Sequence, residues 1–191
     1  MRHVFFVLLI LFPLRSVSQD LTNPLLLPSP NGVQLKFPAA MLTEIRRIDS
    51  DFKPFSESEY IKILPRWSPD KPNQALFAVI GDFNGDGTPD LVVDGHGADS
   101  TRRIALLSTN GGYQGIQLMA KAYVPPEAEQ YDGEHGYWVC LNAVAPGRIE
   151  SPCEETILDL ATDAFEVGYY EKASVLYYWR NGRFHEYVTG D

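Results

Sequence analysis

The segment 81–90 places oxygen-bearing side chains at alternate positions of a short, glycine-containing stretch. These side chains belong to Asp82, Asn84, Asp86, Thr88 and Asp90. Such alternation lets side chains from every second residue converge on one centre, and Ca²⁺ takes about six to eight oxygen ligands. The seventh position of such a loop normally donates its backbone carbonyl, which gives that role to Thr88. The residue types and their spacing therefore predict a calcium site.

The loop differs from an EF-hand at a definite position. With Asp82 as position one, position twelve is Val93, where an EF-hand has a bidentate glutamate. The flanking residues are strand-like rather than amphipathic helices, so we expect Asp90 to complete the coordination shell. Gly85 and Gly87 allow the sharp turn that wraps the chain around an ion.

The segment Gly81 to Val93 resembles the calcium loop of FG-GAP and VCBS-type repeats. Its Asp-x-Asn-x-Asp-Gly-x-x-Asp core follows Phe-Ala-Val-Ile and precedes Leu-Val-Val. The rest of the chain resembles small secreted bacterial proteins that carry one such loop. Integrin-like members build β-propellers from tandem copies, whereas one copy cannot close a ring. The resemblance implies calcium as the cofactor, held between strands by Asp82, Asn84, Asp86, Thr88 and Asp90.

The ion is expected to be structural. Three aspartates this close repel one another unless a cation neutralises them, and with the oxygens engaged no group remains to act as a base. The alternative is a solvated acidic turn without metal.

The amino terminus indicates export. Arg2 and His3 precede an apolar run from Val4 to Leu14, and small residues follow at Ser16 and Ser18. We predict a signal peptide over residues 1–18 and a periplasmic or secreted protein. The run is shorter than the roughly 20 residues that a membrane span needs, so no stable span is expected after cleavage. The net charge of −9 disfavours a nucleic-acid partner.

Cys140 and Cys153 are the two cysteines of the chain. In an oxidising compartment, a disulfide between them would close a short loop and stabilise the fold by roughly 3 kcal/mol in the chain-entropy account. Free thiols, or a catalytic thiol near His135, are the alternatives.

Two helices are expected near the start of one α+β domain at residues 38–191, after an extended arm at 19–37 rich in proline. Apolar residues recur at helical spacing from Ala39 to Asp49. A capping box at Ser56 and Glu59 predicts a second short helix that ends at Pro65.

The rest of the domain is expected to be an antiparallel, β-rich sheet on which the helices pack. Short apolar runs predict strands at 75–80 and 91–93, a hairpin at 104–119 and a three-strand meander at 165–188 with a turn at Asn181-Gly182. The segment 123–136 is predicted to be a loop.

Two weaker groups of residues could also form sites. Asp94, His96 and Asp99 follow the calcium loop and Glu134-His135 lies further on, but general acid-base chemistry needs such groups about 3 Å from each other or from a substrate. Asp94 could instead support the calcium shell. The doublets Tyr169-Tyr170 and Tyr177-Tyr178 put one ring of each pair off the main core, where it is covered or forms a platform for sugars or peptides.

Three functional classes follow. The favoured one is an exported, calcium-stabilised, non-enzymatic binding module whose partner is a protein or a glycan. A hydrolase of an envelope or extracellular polymer would need a cleft that gathers Asp94, His96 or Glu134. A structural subunit of an envelope assembly would expose a contiguous apolar patch.

Overall fold

The computed structural model describes residues 21–30, 32–66, 68–154 and 156–190. The predicted signal peptide at 1–18 lies outside the described residues. The described part of the chain is mostly antiparallel β-structure with a single α-helix, α1 (Ala39–Ile48). No helix within it has both the length and the apolar character needed to cross a membrane.

Sixteen strands, several of them very short, are formed in the described residues. In chain order they are β1 (Leu25–Ser29), β2 (Gly32–Lys36), β3 (Lys53–Pro54), β4 (Gln74–Ala75), β5 (Ala78–Gly81), β6 (Asp90–His96), β7 (Ser100–Thr109), β8 (Gly112–Ala122), β9 (Gln130–Tyr131), β10 (Glu134–His135), β11 (Val139–Val144), β12 (Gly147–Ile149), β13 (Leu158–Leu160), β14 (Ala164–Tyr169), β15 (Ser174–Arg180) and β16 (Arg183–Gly190).

Two larger antiparallel sheets form the body of the protein. The first has the order β4-β5-β6-β7-β8, with β3 added beside β6, and the second has the order β11-β14-β15-β16. The predicted strand at 91–93 lies in β6, and the predicted hairpin at 104–119 is β7-β8. The predicted meander is β14-β15-β16, and positive φ angles at Asn181 and Gly182 form its last turn. These three predictions are confirmed. The single strand predicted at 75–80 is wrong, because a tight turn at residues 76 and 77 divides it into β4 and β5, which pair with each other.

The two sheets pack face to face. Alternate residues of β6 and β7 point into the space between the sheets because successive side chains on a strand point to opposite faces. Val92 and Ala105 meet Leu141, Phe165 and Val167 of the second sheet there, all fully or almost fully buried. This intersheet core is one of three apolar layers.

The other two layers lie on the outer faces of the sheets. α1 packs Met41 and Ile45 against the first sheet, whose Leu91 and Val93 belong to the same cluster. A smaller cluster joins the second sheet to the hairpin β12-β13. The helix packed on a sheet, predicted at residues 39–49, is therefore confirmed.

The second predicted helix is wrong. The Glu59 carboxylate does accept the expected hydrogen bond from the Ser56 amide (2.6 Å), but only one 3₁₀ turn, Glu57–Glu59, forms. Tyr60 then adopts an extended backbone and pairs with Tyr137. The side chains of Tyr60 and Ile61 are buried, so tertiary packing overrides the local helical signal.

Two irregular segments contain more pairing than the sequence indicated. The predicted arm forms the hairpin β1-β2, and its Leu26 and Val33 join the buried cluster below α1. The predicted loop at 123–136 includes the small hairpin β9-β10, which turns through Asp132 and Gly133 at positive φ.

Candidate functional site

The acidic loop connects β5 to β6, as the sequence predicted. The two strands are paired up to Gly81 and Asp90, so the residues between them leave and rejoin the sheet at neighbouring positions. Gly85 and Gly87 have φ angles of +78° and +82°, in the left-handed region that a Cβ disfavours. The loop is therefore a compact turn at one end of the first sheet.

The Asp82 carboxylate organises the first half of this loop. One oxygen, Oδ1, accepts hydrogen bonds from the amides of Gly85 (2.8 Å) and Asp86 (3.0 Å), and Oδ2 accepts one from the amide of Gly87 (2.9 Å). The loop thus curls around the side chain of its own first acidic residue.

Asp86 and Asn84 are tied to β7 through Ser108. The Ser108 hydroxyl donates to the Asp86 carboxylate (2.7 Å to Oδ2), and the Asn84 amide nitrogen donates to the Ser108 carbonyl (2.8 Å). Thr88 donates its backbone N–H to Asp86 Oδ1 (2.9 Å). The hydrogen bond from Ser108 is the main reason that the pKa of Asp86 lies below its ordinary value.

Asp90 lies beneath the loop and is fully buried. Its Oδ2 accepts hydrogen bonds from the amides of Phe83 (2.8 Å) and Asn84 (3.2 Å), and its Oδ1 accepts one from the amide of Ser108 (2.6 Å). Burial raises the pKa of Asp90, and the hydrogen bonds from Ser108 and the loop amides partly oppose that rise.

The donor chemistry of these five residues suits a hard cation. The Asp86 amide links the side-chain oxygens of Asp82 and Asn84, so the first three predicted ligands lie together. Each carboxylate oxygen has two lone pairs, and several of these oxygens accept only one backbone hydrogen bond. No ion pair among the described residues involves Asp82, Asp86 or Asp90.

The same side chains are not gathered around one point. Within the described ranges, no three His, Cys, Asp or Glu side chains lie close enough together to hold a metal ion. The carboxylates would have to move closer together to share one ion. The residues thus fit calcium in their chemistry, and the loop would close further around an ion.

Three residues distant in the sequence position the loop, and sequence reasoning missed them. Ser108 is the second-last residue of β7 and donates to Asp86. Asp163 Oδ2 accepts a hydrogen bond from the Asp82 amide (2.8 Å), and the Thr162 hydroxyl donates to the Phe83 carbonyl (2.9 Å). Asp163 and Thr162 precede β14, so the loop is attached to both sheets. No local signal identifies them, because their role depends on how the sheets pack.

The weaker acid-base candidates are not brought into one cavity. Asp94 is buried in an ion pair with Arg103. His96 stacks between Phe55 and Tyr123, at centroid distances of 5.7 and 4.4 Å. Glu134 and the exposed His135 lie on a separate surface hairpin, where the Glu134 carboxylate accepts a hydrogen bond from the Lys62 amide (2.8 Å). The backbone carbonyl of Asp99 accepts a hydrogen bond from the Tyr123 amide.

The two cysteines are free thiols in the structure, with Cys140 buried and Cys153 exposed. Burial raises the pKa of the Cys140 thiol to about 11, so this thiol is un-ionised at neutral pH. That protonation state disfavours a nucleophilic role for Cys140. The disulfide between Cys140 and Cys153 stays a prediction.

The tyrosine doublets divide between the two faces of the second sheet. Tyr169 and Tyr177 line a cleft together with Arg103, whereas Tyr178 packs on the opposite face beside the hairpin β12-β13. Tyr169 is 37% exposed and the other three rings are half-buried. The rings therefore form neither a bare platform nor a closed core.

Comparison of the chain with models of protein families, with curated proteins and with solved structures gave no match. The likeness of Gly81 to Val93 to the FG-GAP and VCBS loop therefore stays a prediction that rests on the residues themselves.

Proposed function

We propose that this protein is an exported, non-enzymatic binding module that is stabilised by a structural calcium ion in the loop from Asp82 to Asp90. One observation carries the proposal. The fold holds three aspartates within one short loop, and none of them has a cationic partner among the described residues.

Electrostatics favours a bound cation at this loop. Like charges at such short range raise the free energy of the folded state, and burial of Asp90 adds a desolvation cost. Backbone amides and Ser108 offset part of this cost but carry no net positive charge. A divalent cation would neutralise the repulsion.

The chain offers a defined oxygen set for that ion. Asp82, Asn84, Asp86 and Asp90 would provide side-chain oxygens, and Thr88 would provide its backbone carbonyl. The ion would supply positive charge and cross-link the two strands that flank the loop. Extracellular calcium modules bind with dissociation constants of about 10⁻⁴ to 10⁻³ M.

The placement of the titratable groups supports a binding role over an enzymatic one. Asp94 is held by Arg103 and His96 is stacked between two rings, so neither is placed as a free acid or base beside the other. The predicted signal sequence at 1–18 supports a periplasmic or secreted location, where calcium is available and a Cys140 to Cys153 disulfide could form.

Thermal unfolding with and without calcium tests the proposal. Calcium at ten times its dissociation constant should add about 1.4 kcal/mol to the free energy of unfolding. Chelation should remove this gain, and Asp86→Ala should abolish the response to calcium. Asp70→Ala is the matched control, because it removes one exposed carboxylate outside the loop and should leave the response intact.

A magnesium titration separates a calcium site from general screening of negative charge. Magnesium demands a stricter octahedral geometry and keeps its water, so it should stabilise the protein less than calcium does. A melting curve that calcium leaves unchanged would refute the site. An equal response in Asp86→Ala and Asp70→Ala would assign the effect to net charge.

A further inference from the structure

A cleft of about 270 Å³ opens beside the intersheet core, and both sheets contribute to its walls. On β6, Val92 lies in the core, and the next residue on the same face, Asp94, lines the cleft. On β14, Phe165 and Val167 lie in the core, and Tyr169 lines the cleft. The apolar filling between the sheets therefore gives way to polar and aromatic side chains along both strands.

The polar wall of the cleft is a buried ion pair. Arg103 donates from Nε to Asp94 Oδ1 (2.8 Å) and from Nη2 to Asp94 Oδ2 (2.7 Å), and both side chains are at least 94% buried. These two bonds leave the Nη1 hydrogens and one Nη2 hydrogen of the guanidinium for other acceptors. Burial lowers the pKa of Arg103, but the charge and hydrogen bonds of Asp94, together with Tyr177 and Tyr169, more than offset this, so the net pKa is raised and the side chain stays charged.

The pairing of β7 with β8 is irregular at this position. Arg103 pairs with Met119 and Ile104 with Gln117, so Leu118 of β8 is left unpaired in a β-bulge, and Leu118 and Met119 both line the cleft. Bulges redirect side chains and are frequent beside binding sites. A buried ion pair contributes little net stability compared with apolar packing. A need for stability therefore does not account for an ion pair and a β-bulge at the same place.

Thr101 adds an unsatisfied hydroxyl to the same wall. It stands two residues before Arg103, and its side chain is 4% exposed. Its Oγ1 is one of two buried side-chain oxygens without a hydrogen-bond partner in the described residues. An unpartnered buried hydroxyl lowers the stability of the fold. This cost indicates that a ligand in the cleft provides the missing hydrogen-bond partner.

The opposite wall is aromatic. Trp138 and Tyr169 contact each other edge to face with centroids 6.0 Å apart, and Tyr177 lies deeper, stacked on Phe165 at 5.0 Å. Burial raises the pKa of Tyr177 to about 12, so its hydroxyl remains a neutral donor and acceptor at physiological pH. Aromatic faces beside directional polar groups suit a ligand with an apolar face and a hydroxylated edge.

The charges and size of the cleft narrow the ligand class. Its lining includes two basic side chains, Arg103 and Lys121, and two acidic ones, Asp94 and Glu129, so the lining has no net charge. Ligand pockets usually measure about 300–1,000 Å³, so this cleft is slightly smaller than most. An uncharged ligand of one ring fits this balance better than a charged peptide end or an acidic sugar.

From the ion pair, the bulge, the unpartnered hydroxyl and the facing rings, we propose that this cleft binds one uncharged sugar unit. The Trp138 ring already stacks with Tyr131 (centroids 5.3 Å apart) and has the Lys172 ammonium 4.7 Å from its centroid. The sugar ring would therefore stack on Tyr169 and pack against the edge of Trp138, and its hydroxyls would bond with Arg103, Asp94 and Thr101. This inference rests on the proposed function in one respect, that the protein is a binding module, and it names the ligand class. No residue of the calcium loop lines the cleft, so sugar binding should not require calcium.

The test is a titration of the mature protein with a panel of neutral hexoses, N-acetylhexosamines and their disaccharides. Uronic acids and short peptides serve as comparison ligands, and binding is followed by saturation-transfer NMR and calorimetry, with calcium and with chelator. At least one neutral sugar should bind, and the double variant Trp138→Ala/Tyr169→Ala should weaken it at least tenfold. Tyr178→Ala is the matched control, because its ring lies on the other face of β15.

Thr101→Val provides a variant that keeps the shape of the side chain and removes only the hydroxyl. It should weaken the same sugar several-fold while the melting temperature of the free protein does not fall, so the test does not depend on a variant that fails to fold. The inference is overturned if no neutral sugar binds, if uronic acids or peptides bind in preference, or if the variants bind as the parent does. Sugar binding that persists without calcium, in a protein whose melting ignores calcium, would refute the metal site alone.

Discussion

Asp90 and Asp94 lie on the same face of the same strand, four residues apart, and the protein neutralises them in different ways. Both belong to β6 and both are buried, with exposures of 0% and 4%. Asp94 faces a guanidinium through two short hydrogen bonds. Asp90 accepts hydrogen bonds from the backbone N–H groups of Phe83, Asn84 and Ser108 and has no cationic partner among the described residues.

The difference separates a satisfied charge from one that is only partly compensated. A bidentate arginine cancels the charge of Asp94, whereas three amide dipoles leave a net negative charge at Asp90. At one end of β6, the protein itself neutralises the negative charge of Asp94. At the other end, the negative charge of Asp90 is left without a positive partner, which an external cation would provide.

Breaking the ion pair should have the largest effect. Arg103→Met leaves Asp94 buried without its cation and should reduce the free energy of unfolding by about 3–5 kcal/mol, measured by urea denaturation. The double variant Asp94→Leu/Arg103→Met removes both charges and should recover most of that loss. If the double variant is as unstable as the single one, the cost comes from lost packing rather than from the unpaired charge.

Neutralising the buried Asp90 carboxylate should cause the second-largest loss in the free energy of unfolding. Asp90→Asn turns one acceptor oxygen into a donor that faces a backbone N–H, and should cost about 1–3 kcal/mol in chelator-containing buffer. Asp86→Asn is the matched control on the exposed side of the loop and should cost less. Equal losses would mean that burial does not distinguish the two carboxylates.

The response to calcium should depend on pH. The pKa of Asp90 is raised by burial, so without metal its protonated form stabilises the fold at low pH, and this contribution is lost as the pH rises through the raised pKa. Calcium needs the ionised carboxylate. Its gain of about 1.4 kcal/mol at ten times the dissociation constant should therefore be complete near neutrality and fade as the pH falls through the raised pKa of Asp90.

Melting curves across that range, with and without calcium, measure this dependence. The pKa of Asp86 is lowered, chiefly by Ser108, so its own stabilising contribution is present at neutral pH and is lost only as the pH falls through that lowered pKa. A calcium shift of constant size from acid to neutral pH would contradict a role for Asp90 as a ligand.

Alanine substitutions at the two glycines of the loop test how closely the loop packs against Thr162. Gly85→Ala and Gly87→Ala both place a Cβ at positive φ, but only at Gly85 would that atom meet a neighbour, Thr162 Cγ2 at 2.8 Å. Gly85→Ala should therefore cost about 1 kcal/mol more than Gly87→Ala in denaturant titrations. Thr162→Ser removes the methyl group and keeps the hydroxyl, so it should cancel the difference.

The smallest effect is expected at the cleft. Thr101→Val should not lower the free energy of unfolding and should raise it by less than about 1 kcal/mol, because it removes a buried hydroxyl that has no hydrogen-bond partner within the described residues. Ser108→Ala is the contrasting hydroxyl deletion, since Ser108 donates to Asp86. If both variants lose the same stability, Thr101 has a partner in solution.

The sequence predicted those features that depend on local pattern. Alternating apolar residues located β14, β15 and β16, and the glycines and acids of the loop located the turn between β5 and β6. β11 was missed because Cys-Leu-Asn-Ala between Val139 and Val144 carries no clear alternation. The capping box at Ser56 predicted a helix, but burial of Tyr60 stopped it after one turn.

The two proposed sites depend on contacts that no local pattern encodes. Arg103 meets Asp94 because β6 and β7 pair in one register, which places these residues directly opposite each other. Ser108 reaches Asp86 from the far end of β7, and Asp163 reaches Asp82 from the segment that precedes β14. Such partners are set by strand register and sheet packing, so the predicted ligands were identifiable and their supports were not.

β6 has six of its seven residues buried and joins β5 and β3 on one side to β7 on the other. Amide protons in such a strand exchange with solvent chiefly when the whole domain opens. A ligand bound at either end of β6 should therefore slow deuterium uptake along the full length of the strand. Uptake by amides at one end would then show whether a ligand is bound at the other end.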